Sequence, residues 1–491
     1  MARLATRADR FGGCVGGAGR MASRSVGLDS IYLWWIVWVG VLLCFVPGVV
    51  VGDYLRPVLR FNSEGQFKIL QVADMHFAQG AHSACYDVAS SHHCSDLNTT
   101  YFIERLLAVE KPDLVVFTGD NIDGSATDAM KSMDQAFSPV IAAKIPWAAV
   151  LGNHDQESNL PRAKVMEYLT KMEHSMSEML NPSMESLLGK SVDRRAPIEV
   201  HGFGNYYLQV FGGLDSDSSN SSLLNLYLFD SGDYSKFNTV GGYDWVRASQ
   251  LLWFETLAAK LKSESLANTV SGQQPPPPVT PALAYFHIPT PEYNAAFTSP
   301  SMLVGEKQEA TCSASVNSGL FTSLVESGDV KATFVGHDHV NDYCGNHLGI
   351  HLCYGGGIGY HTYGKAGWAR RARIVQASLG RGLKVGSKVT REITTWKRLD
   401  DEDLSISDIQ ILYNGYAGEW FAGPFFGRSL PFRRGILGDW MSIITLLLLL
   451  TGLFLVTFLI NYWVRKFQSR KRTYFASREG ASSVESNDIY D

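Results

Sequence analysis

The chain has 491 residues, of which 45% are hydrophobic and 19% are charged. This composition supports a buried core and excludes disorder as the default state, and the length allows one large domain or two ordinary ones. The formal net charge at pH 7 is -5. Such a balance offers no broad basic surface to a polyphosphate backbone, so we do not expect nucleic acid as a main partner.

The N-terminal part combines a basic stretch at residues 1–30 with an apolar stretch at residues 31–52. The basic stretch is expected in the cytosol under the positive-inside rule. The apolar stretch can be a signal anchor or a cleaved signal peptide: its length favours the anchor, whereas Pro47 and Gly52 favour the peptide. In either case the chain that follows is expected to be translocated across a membrane.

A transmembrane helix is predicted at residues 439–464, after a juxtamembrane linker at residues 414–438. From residue 440 onward, about 25 residues carry no charge, which is enough to cross a hydrocarbon layer of ~30 Å. The tail at residues 465–491 begins with a basic cluster and is therefore expected in the cytosol. We expect contact with the lipid bilayer of the secretory pathway or the cell surface, with residues 61–413 lumenal or extracellular.

Five of the seven cysteines lie in this central region. Cys85 and Cys94 are close enough in sequence to close a short loop, and so are Cys344 and Cys353. A lumenal compartment permits disulfides there, whereas the alternative is reduced and buried cysteine. Cys312 has no evident partner.

Two Asn-x-Ser/Thr sequons, at Asn98 and Asn220, lie in the same region. They agree with a lumenal location and predict a glycoprotein, although such tripeptides are common by chance.

Residues 61–413 have the pattern of one α/β domain, in which short β-rich runs alternate with helical patterns. Strands are predicted at residues 67–72, 114–118, 147–151, 224–230, 282–286 and 332–335. Helices are predicted at residues 100–110, 161–179, 247–265 and 319–326, and a surface loop at residues 271–281.

Almost every predicted strand ends in a side chain that can bind a divalent metal. These side chains are Asp74 and His76, Asp120, Asn153 with His154 and Asp155, His287, and His337 with His339. Open α/β sheets place their ligands outside the carboxyl ends of the strands, so five such edges describe one site. Residues two apart in extended backbone point to one face, so His337 and His339 can converge.

The chemistry of this set favours transition metals. Mixed nitrogen and oxygen ligands suit Mn, Fe or Zn rather than Ca or Mg. Two such ions ~3.5–4 Å apart, bridged by a carboxylate, form a clamp for in-line displacement at phosphorus. Gly119, Gly152 and Gly336 are expected to turn the chain off the strands and leave room for a phosphate. Taken alone, an Asp-x-His pair is more often a surface pair, so the ordered set carries the prediction.

The ordered set resembles the calcineurin-like metallophosphoesterase superfamily. More closely, residues 96–100, 110–113, 152–156, 202–206 and 355–361 are similar to the small plant purple acid phosphatase relatives that are often labelled inactive. The likeness covers residues 61–413 and neither apolar segment. It implies an α/β/β/α sandwich with the metals at the carboxyl ends of the strands.

The resemblance also implies roles for single residues. One ion would be held by Asp74, His76, Asp120 and His339, with Asp120 bridging, and the second by Asn153, His287 and His337. His154 would stabilise or protonate the leaving oxygen, oriented by Asp155, while a metal-bound hydroxide attacks phosphorus.

The chain departs from true purple acid phosphatases at two positions. Those enzymes carry a glycine and a tyrosine where this chain has His76 and Asp123. Without the tyrosinate we expect no purple colour, while His76 restores a ligand.

The resulting prediction is a membrane-anchored, binuclear-metal hydrolase of phosphate esters, with phosphomonoesters as the expected substrates. The alternatives are a phosphodiesterase of the same superfamily and a catalytically silent, membrane-tethered binding protein. The arginines that can pair with phosphate, with nothing to rank them, are Arg105, Arg162, Arg370 and Arg371. Among the other histidines, His361 is the one expected to line the pocket.

Overall fold

The computed structural model describes residues 56–88, 94–189, 198–267, 279–298, 303–381 and 388–415. Both predicted membrane segments, at residues 31–52 and 439–464, lie outside these ranges, as does most of the predicted loop at residues 271–281. No helix within the described ranges is both long enough and apolar enough to cross a bilayer.

The strands and helices alternate along most of the chain. In chain order the strands are β1 (Gln66–Val72), β2 (Leu114–Thr118), β3 (Trp147–Val150), β4 (Leu180–Asn181), β5 (Asn205–Phe211), β6 (Ser222–Leu228), β7 (Ala282–Tyr285), β8 (Val330–Val335), β9 (Cys344–His347), β10 (Ile350–Tyr354), β11 (Arg371–Arg381), β12 (Lys388–Leu399) and β13 (Ile406–Asn414). The α-helices are α1 (Asp96–Glu110), α2 (Ala129–Ala136), α3 (Ser138–Ala142), α4 (Arg162–Leu169), α5 (Met184–Leu188), α6 (Ala248–Ala267), α7 (Glu292–Thr298) and α8 (Leu320–Ser327).

The described strands form two sheets. The first has the order β13-β12-β11-β1-β2-β3, and the second has the order β4-β5-β6-β7-β8-β10-β9. β1, β2 and β3 run parallel, and so do β6, β7, β8 and β10. Each sheet therefore places the carboxyl ends of several strands at one edge, which is where a site can form.

Aromatic side chains hold helices against both sheets. Phe137, between α2 and α3, stacks on Trp147 of β3 with ring centroids 4.5 Å apart. Phe254 of α6 meets Tyr227 of β6 edge-on at 5.0 Å. Burying one such ring stabilises the fold by about 1.5–3 kcal/mol. The chain thus has a mixed α/β fold with two sheets.

One buried side chain links the two sheets directly. Gln71 of β1 donates from Nε2 to the backbone oxygen of Val335 on β8 at 3.0 Å. The same nitrogen is 3.1 Å from Oγ1 of Thr118 on β2. The carboxyl ends of β1, β2 and β8 are therefore fixed relative to one another.

The six predicted strands are confirmed as β1, β2, β3, β6, β7 and β8, with ends that differ by up to two residues. Helix α1 begins four residues earlier than predicted, because Ser95 and Asn98 form a capping box. The helix predicted at residues 161–179 is wrong beyond Leu169. After it, His174 takes a positive φ of 61° and Met176 donates to the Trp147 oxygen, so pairing with the edge of β3 replaces the helix.

The cysteine pairs are joined as disulfides. Cys85 bonds to Cys94, and Cys344 bonds to Cys353 across the neighbouring strands β9 and β10. Cys312 is exposed and unbonded in the part of the chain that the structure describes.

Candidate metal centre

The predicted ligands converge at the carboxyl ends of strands from both sheets. Asp74, His76, Asp120 and Asn153 follow strands of the first sheet, and His287, His337 and His339 follow strands of the second. Two groups have ligand atoms within 4.8 Å of one another: Asp74, His76, Asp120 and His339, and Asp120, His287 and His337. Asp120 belongs to both groups, as a bridging carboxylate must.

The carboxylate of Asp120 lies at the middle of the cluster. Its Oδ2 is 3.1 Å from Nε2 of His287 and 3.4 Å from Nε2 of His76. Its Oδ1 accepts a hydrogen bond from the backbone N–H of His154 at 2.8 Å. Burial would raise the pKa of the Asp120 carboxyl, yet the two imidazoles hold it well below its usual range. Asp120 is therefore an anion that faces both groups. The predicted ligand Asn153 also reaches the cluster, with Oδ1 3.2 Å from Nε2 of His287.

Four of these residues adopt backbone conformations that L-residues avoid. The φ angles are 56° at Asp74, 45° at His76, 49° at Asp120 and 76° at His337. Such conformations cost about 1–3 kcal/mol each and persist only where the surrounding structure enforces them. Of the eleven non-glycine residues with positive φ in the described ranges, four therefore belong to this one cluster.

Two glycines admit the ligand side chains. A Cβ atom at Gly152 would lie 2.1 Å from Oδ1 of Asp120, and one at Gly119, where φ is +90°, would lie 2.5 Å from Nδ1 of His287. At both positions the neighbouring atoms are side-chain and backbone atoms of the protein. These glycines therefore make room for Asp120 and His287, and the expectation that Gly119, Gly152 and Gly336 also leave room for a phosphate stays a prediction.

The cluster contains buried polar atoms that suit a metal ion. Among the described residues, Asp74 Oδ2, His76 Nε2 and His337 Nε2 are buried in the cluster without a hydrogen-bond partner. Leaving such an atom unpaired costs about 1–3 kcal/mol. One carboxylate oxygen and two imidazole nitrogens match the ligand preference of Mn, Fe or Zn. The residues present therefore fit a transition-metal site.

Three imidazoles are oriented by groups outside the cluster. Nδ1 of His287 donates to the Thr118 oxygen at 2.8 Å, and Nδ1 of His339 lies 3.2 Å from the Tyr363 oxygen. Nδ1 of His76 lies 3.0 Å from Oδ2 of Asp123. Each contact turns the ring so that Nε2 faces the cluster, as second partners of metal-binding histidines do. Sequence reasoning missed this role of Asp123. The available signal was the presence of an acidic residue three positions after Asp120.

The imidazoles of the cluster differ in their pKa values. Burial alone would lower the pKa of His76 and His287, but contacts with Asp120 raise these values to about 10 and about 9. Burial and the neighbouring His287 lower the pKa of His337 to about 3. Burial raises the pKa of Asp74 to about 7. His337 is thus held in the neutral form that binds metals, whereas His76 and His287 would release protons when an ion binds.

Comparison with known proteins agrees with this geometry. Residues 67–341, more than half of the chain, match the family described as Calcineurin-like phosphoesterase. The chain belongs to this family. The resemblance predicted from the motifs is confirmed. The family uses a dimetal centre, and the Asp/His cluster of this structure could hold metal ions.

Three curated relatives illustrate the range of similarity. "Probable inactive purple acid phosphatase 29" of Arabidopsis thaliana is 50% identical over 381 residues, which is 77% of this chain and 94% of that protein. "Probable inactive purple acid phosphatase 14" of the same plant is 47% identical over 74% of this chain and 87% of that protein. "Phosphatase DCR2" of Saccharomyces cerevisiae is 35% identical over 74% of this chain and 58% of its own length.

The group that orients His154 in this calcineurin-like phosphoesterase is not the predicted one. Nδ1 of His154 lies 2.5 Å from Oε2 of Glu157. Asp155 is buried and accepts from the backbone N–H groups of Asn121 at 2.9 Å, Ile122 at 3.0 Å and Gly152 at 2.7 Å. The prediction that Asp155 orients His154 is therefore wrong, because its carboxylate ties two loops together. Sequence reasoning missed Glu157.

The remaining candidates have partners elsewhere in the fold. The arginine contacts are Arg105 with Asp400, Arg162 with Asp230, Arg371 with Asp342, and Arg370 with the backbone oxygens of Tyr86, Thr362 and Tyr363. His361 donates from Nδ1 to the Ala84 oxygen at 2.6 Å and lies 3.2 Å from Oγ of Ser125. None of these contacts involves a predicted metal ligand.

Proposed function

We propose that this chain is a membrane-anchored phosphoesterase that hydrolyses phosphate esters, with phosphomonoesters as its substrates. The single observation that carries the proposal is that Asp120 belongs to two groups of side chains. Within each group the ligand atoms lie within 4.8 Å of one another. A carboxylate shared between two such groups is the arrangement that holds two ions for in-line displacement at phosphorus.

The predicted ligands would hold the ions, and His154 would transfer a proton. One ion would be held by Asp74, His76, Asp120 and His339, and the other by Asp120, Asn153, His287 and His337. When bound, Fe, Mn or Zn ions supply Lewis acidity and charge neutralisation at the phosphate. His154 is 34% exposed at the side chain and lies next to the cluster, with Glu157 at its Nδ1. Its Nε2 is the atom from which a proton passes to the leaving oxygen.

A catalytically silent binding protein is the second candidate, and the names of the two Arabidopsis relatives favour it. Two features of this chain support catalysis instead. The strained φ angles at four predicted ligands carry a cost that a tether would not need. The atoms of Asp74 and His337 that lack a hydrogen-bond partner likewise carry a cost that bound ions would remove.

We place the phosphoesterase domain on the lumenal or extracellular side, with residues 465–491 in the cytosol. Two disulfides in the domain support this placement, because such bonds persist mainly in oxidising compartments. Asn220 is exposed at a turn between β5 and β6, where a glycan can be carried. The basic flanks of the two apolar segments support the same orientation.

The test combines metal analysis with phosphate release from a panel of esters. Full-length protein in detergent should bind close to two transition-metal ions per chain and release phosphate from monoesters faster than from diesters. A diester preference would replace the monoester proposal with a phosphodiesterase. Two bound ions with no release from any ester would favour the silent binding protein, and absence of bound transition metal would refute the site.

A further inference from the structure

The segment between β6 and α6 carries two stacked pairs of aromatic rings near the metal centre. Tyr234 pairs with Tyr243 across an antiparallel bridge, and their rings stack with centroids 5.7 Å apart. Phe237 and Trp245 stack in the same way at 5.7 Å. Two of the rings remain open to solvent, since Tyr234 is 39% exposed and Phe237 is 52% exposed. We call these four residues the aromatic wall.

The aromatic wall contacts the predicted ligands through its tyrosines. The ring of Tyr243 meets the ring of His337 edge-on at 4.3 Å. The Tyr234 hydroxyl accepts a hydrogen bond from Nδ2 of Asn153 at 3.1 Å. That bond leaves Oδ1 of Asn153 directed at His287. The position of the wall is therefore fixed relative to the cluster.

The leaving group of a bound ester must lie near His154, because His154 is the residue that protonates the leaving oxygen. The Tyr234 ring meets the His154 ring edge-on with centroids 6.5 Å apart. Tyr234 is 39% exposed, so part of its side chain is accessible beside His154, where the leaving group lies. Stacking on Tyr243 already orders that ring, so little conformational entropy is lost when a second ring packs against it.

The charges beside the aromatic wall disfavour a second anionic group. The cations of the segment have acidic partners: Lys236 lies 3.6 Å from Asp233, and Arg247 bonds to Asp244 and covers the Trp245 ring at 4.0 Å. Glu157 lies against His154 and also near the Tyr234 hydroxyl. A leaving group with its own negative charge would be repelled by Glu157. Both cations of this segment already have acidic partners, so neither would offset that repulsion.

We propose that Tyr234 is a specificity-determining residue whose ring packs against the leaving group. The substrates are then phosphomonoesters of aromatic alcohols that carry no further anionic group next to the ring. This inference rests on the proposed phosphoesterase function, and its test must separate the two.

The test compares benzyl phosphate with cyclohexylmethyl phosphate on the metal-loaded full-length chain. The two alcohols are similar in acidity and size, so the ratio of their kcat/KM values reports the aromatic ring. We expect benzyl phosphate to be preferred about 10-fold, which corresponds to one aromatic contact. Tyr234→Leu should abolish the preference, whereas Tyr234→Phe, which keeps the ring, should retain it. Equal kcat/KM values in the wild type, or an unchanged preference in Tyr234→Leu, would overturn the inference.

Two controls sharpen the result. Phe237→Leu removes another exposed ring of the same segment, whose ring contacts are with Trp245 and Arg247, and should keep the preference for benzyl phosphate. A carboxylate at the 4-position of benzyl phosphate should lower kcat/KM, and Glu157→Gln should narrow that difference. An equal or higher kcat/KM for the carboxylated ester would contradict the charge argument.

A binding measurement keeps the inference testable if no ester is hydrolysed. Failure to hydrolyse either ester would count against the proposed function alone. Calorimetry should then show tighter binding of benzylphosphonate than of cyclohexylmethylphosphonate, and Tyr234→Leu should remove the difference. Equal affinities in the wild type would overturn the specificity assigned to Tyr234 even in a silent protein.

Discussion

Nδ1 of His154 lies 2.5 Å from Oε2 of Glu157, and both side chains are 34% exposed. A carboxylate at Nδ1 fixes the orientation of the imidazole ring. The other nitrogen, Nε2, is then available to a substrate oxygen. Under the proposed function, Glu157 would therefore act on turnover through His154, without touching the predicted ligands through this contact.

The first prediction follows from that contact. Glu157→Gln should lower kcat by about 10-fold, less than the ~10²–10⁴-fold loss expected for removal of the acid itself. Metal content should not change, because Glu157 holds no predicted ligand. Steady-state kinetics with metal analysis of the same preparation measures both effects. Glu64→Gln, at an exposed position remote in sequence, is the control. An unchanged kcat in Glu157→Gln would contradict the positioning role.

The second prediction separates metal binding from catalysis. Asp120→Asn keeps the shape of the side chain but removes the charge shared by the two ligand groups, so metal content and activity should fall together. His154→Ala should keep both ions and lose turnover by about 10²–10⁴-fold, most severely for poor leaving groups. Metal analysis and kinetics of the two variants decide the roles. Loss of metal in His154→Ala, or full turnover in Asp120→Asn, would refute them.

The third prediction concerns Asp123, which contacts Nδ1 of His76 at 3.0 Å. Asp123→Asn weakens the partner that orients this imidazole, so metal affinity should fall by about 10–100-fold. Competition with a chelator measures the change.

The wild-type protein should show no intense visible charge-transfer band, because no tyrosine occupies the position of Asp123. A purple preparation would mean that another tyrosine reaches the metal, and Tyr363, stacked on His339 at 3.9 Å, would be the first to replace.

The fourth prediction is a pH dependence of stability at the end of α1. Glu110 lies 3.0 Å from Lys68 Nζ and 2.5 Å from Arg398 Nε. Burial would raise the pKa of the Glu110 carboxyl, but hydrogen bonds from Arg398, Trp396 and Lys68 lower it. A folded-state pKa below the unfolded value stabilises the protein above the unfolded pKa. That stabilisation is lost as pH falls through the folded value.

Glu110→Gln should therefore lower the free energy of unfolding by about 2 kcal/mol at pH 7, with a smaller loss at about pH 4. Urea unfolding followed by tryptophan fluorescence at the two pH values measures the difference. Glu104→Gln, at an exposed position of the same helix, should have little effect at either pH. An equal loss at both pH values would show that the charge of Glu110 does not matter.

The fifth prediction tests the lumenal location through the two sequons. Glycosidase treatment should increase the electrophoretic mobility of the protein, and removal of both sequons should abolish the shift. Oδ1 of Asn98 accepts from the Ser95 N–H in the cap of α1, so Asn98→Gln would also damage the helix. Thr100→Ala removes that sequon and keeps the cap, and Asn220→Gln removes the other. A domain without glycans that is digested by cytosolic protease would refute the location.

The sequence predicted the strands that carry the ligands because their signal is local. β2, for example, is a run of five buried residues followed directly by Gly119 and Asp120. The strands β11, β12 and β13 escaped prediction because their buried positions include charged residues. Lys397 of β12 is completely buried and lies 2.7 Å from Oδ2 of Asp342, and Arg373 of β11 donates to the Tyr354 oxygen. Partners that distant in sequence cannot be read from a hydrophobic pattern.

The same limit applied to the site. The order of the motifs predicted which ligands meet, and the structure brings together all seven of them. Motif order did not predict which carboxylate each imidazole would meet. Asp155 is next to His154 in sequence, yet its side chain turns to the loop that carries Asn121 and Ile122. The carboxylates that contact Nδ1 of His154 and of His76 are instead Glu157 and Asp123.

The cluster draws its ligands from both sheets, and this has a consequence for how the protein comes apart. Oδ1 of Asp74 accepts from the N–H of His337, which lies 263 residues further along the chain. Ions held there would cross-link the two sheets, and neither disulfide does so, because each closes a segment with a sequence separation of 9. Separation of the sheets and release of the ions are then one coupled equilibrium, in which ion concentration raises the unfolding temperature by mass action. Resistance to heat becomes a measure of site occupancy that does not depend on turnover.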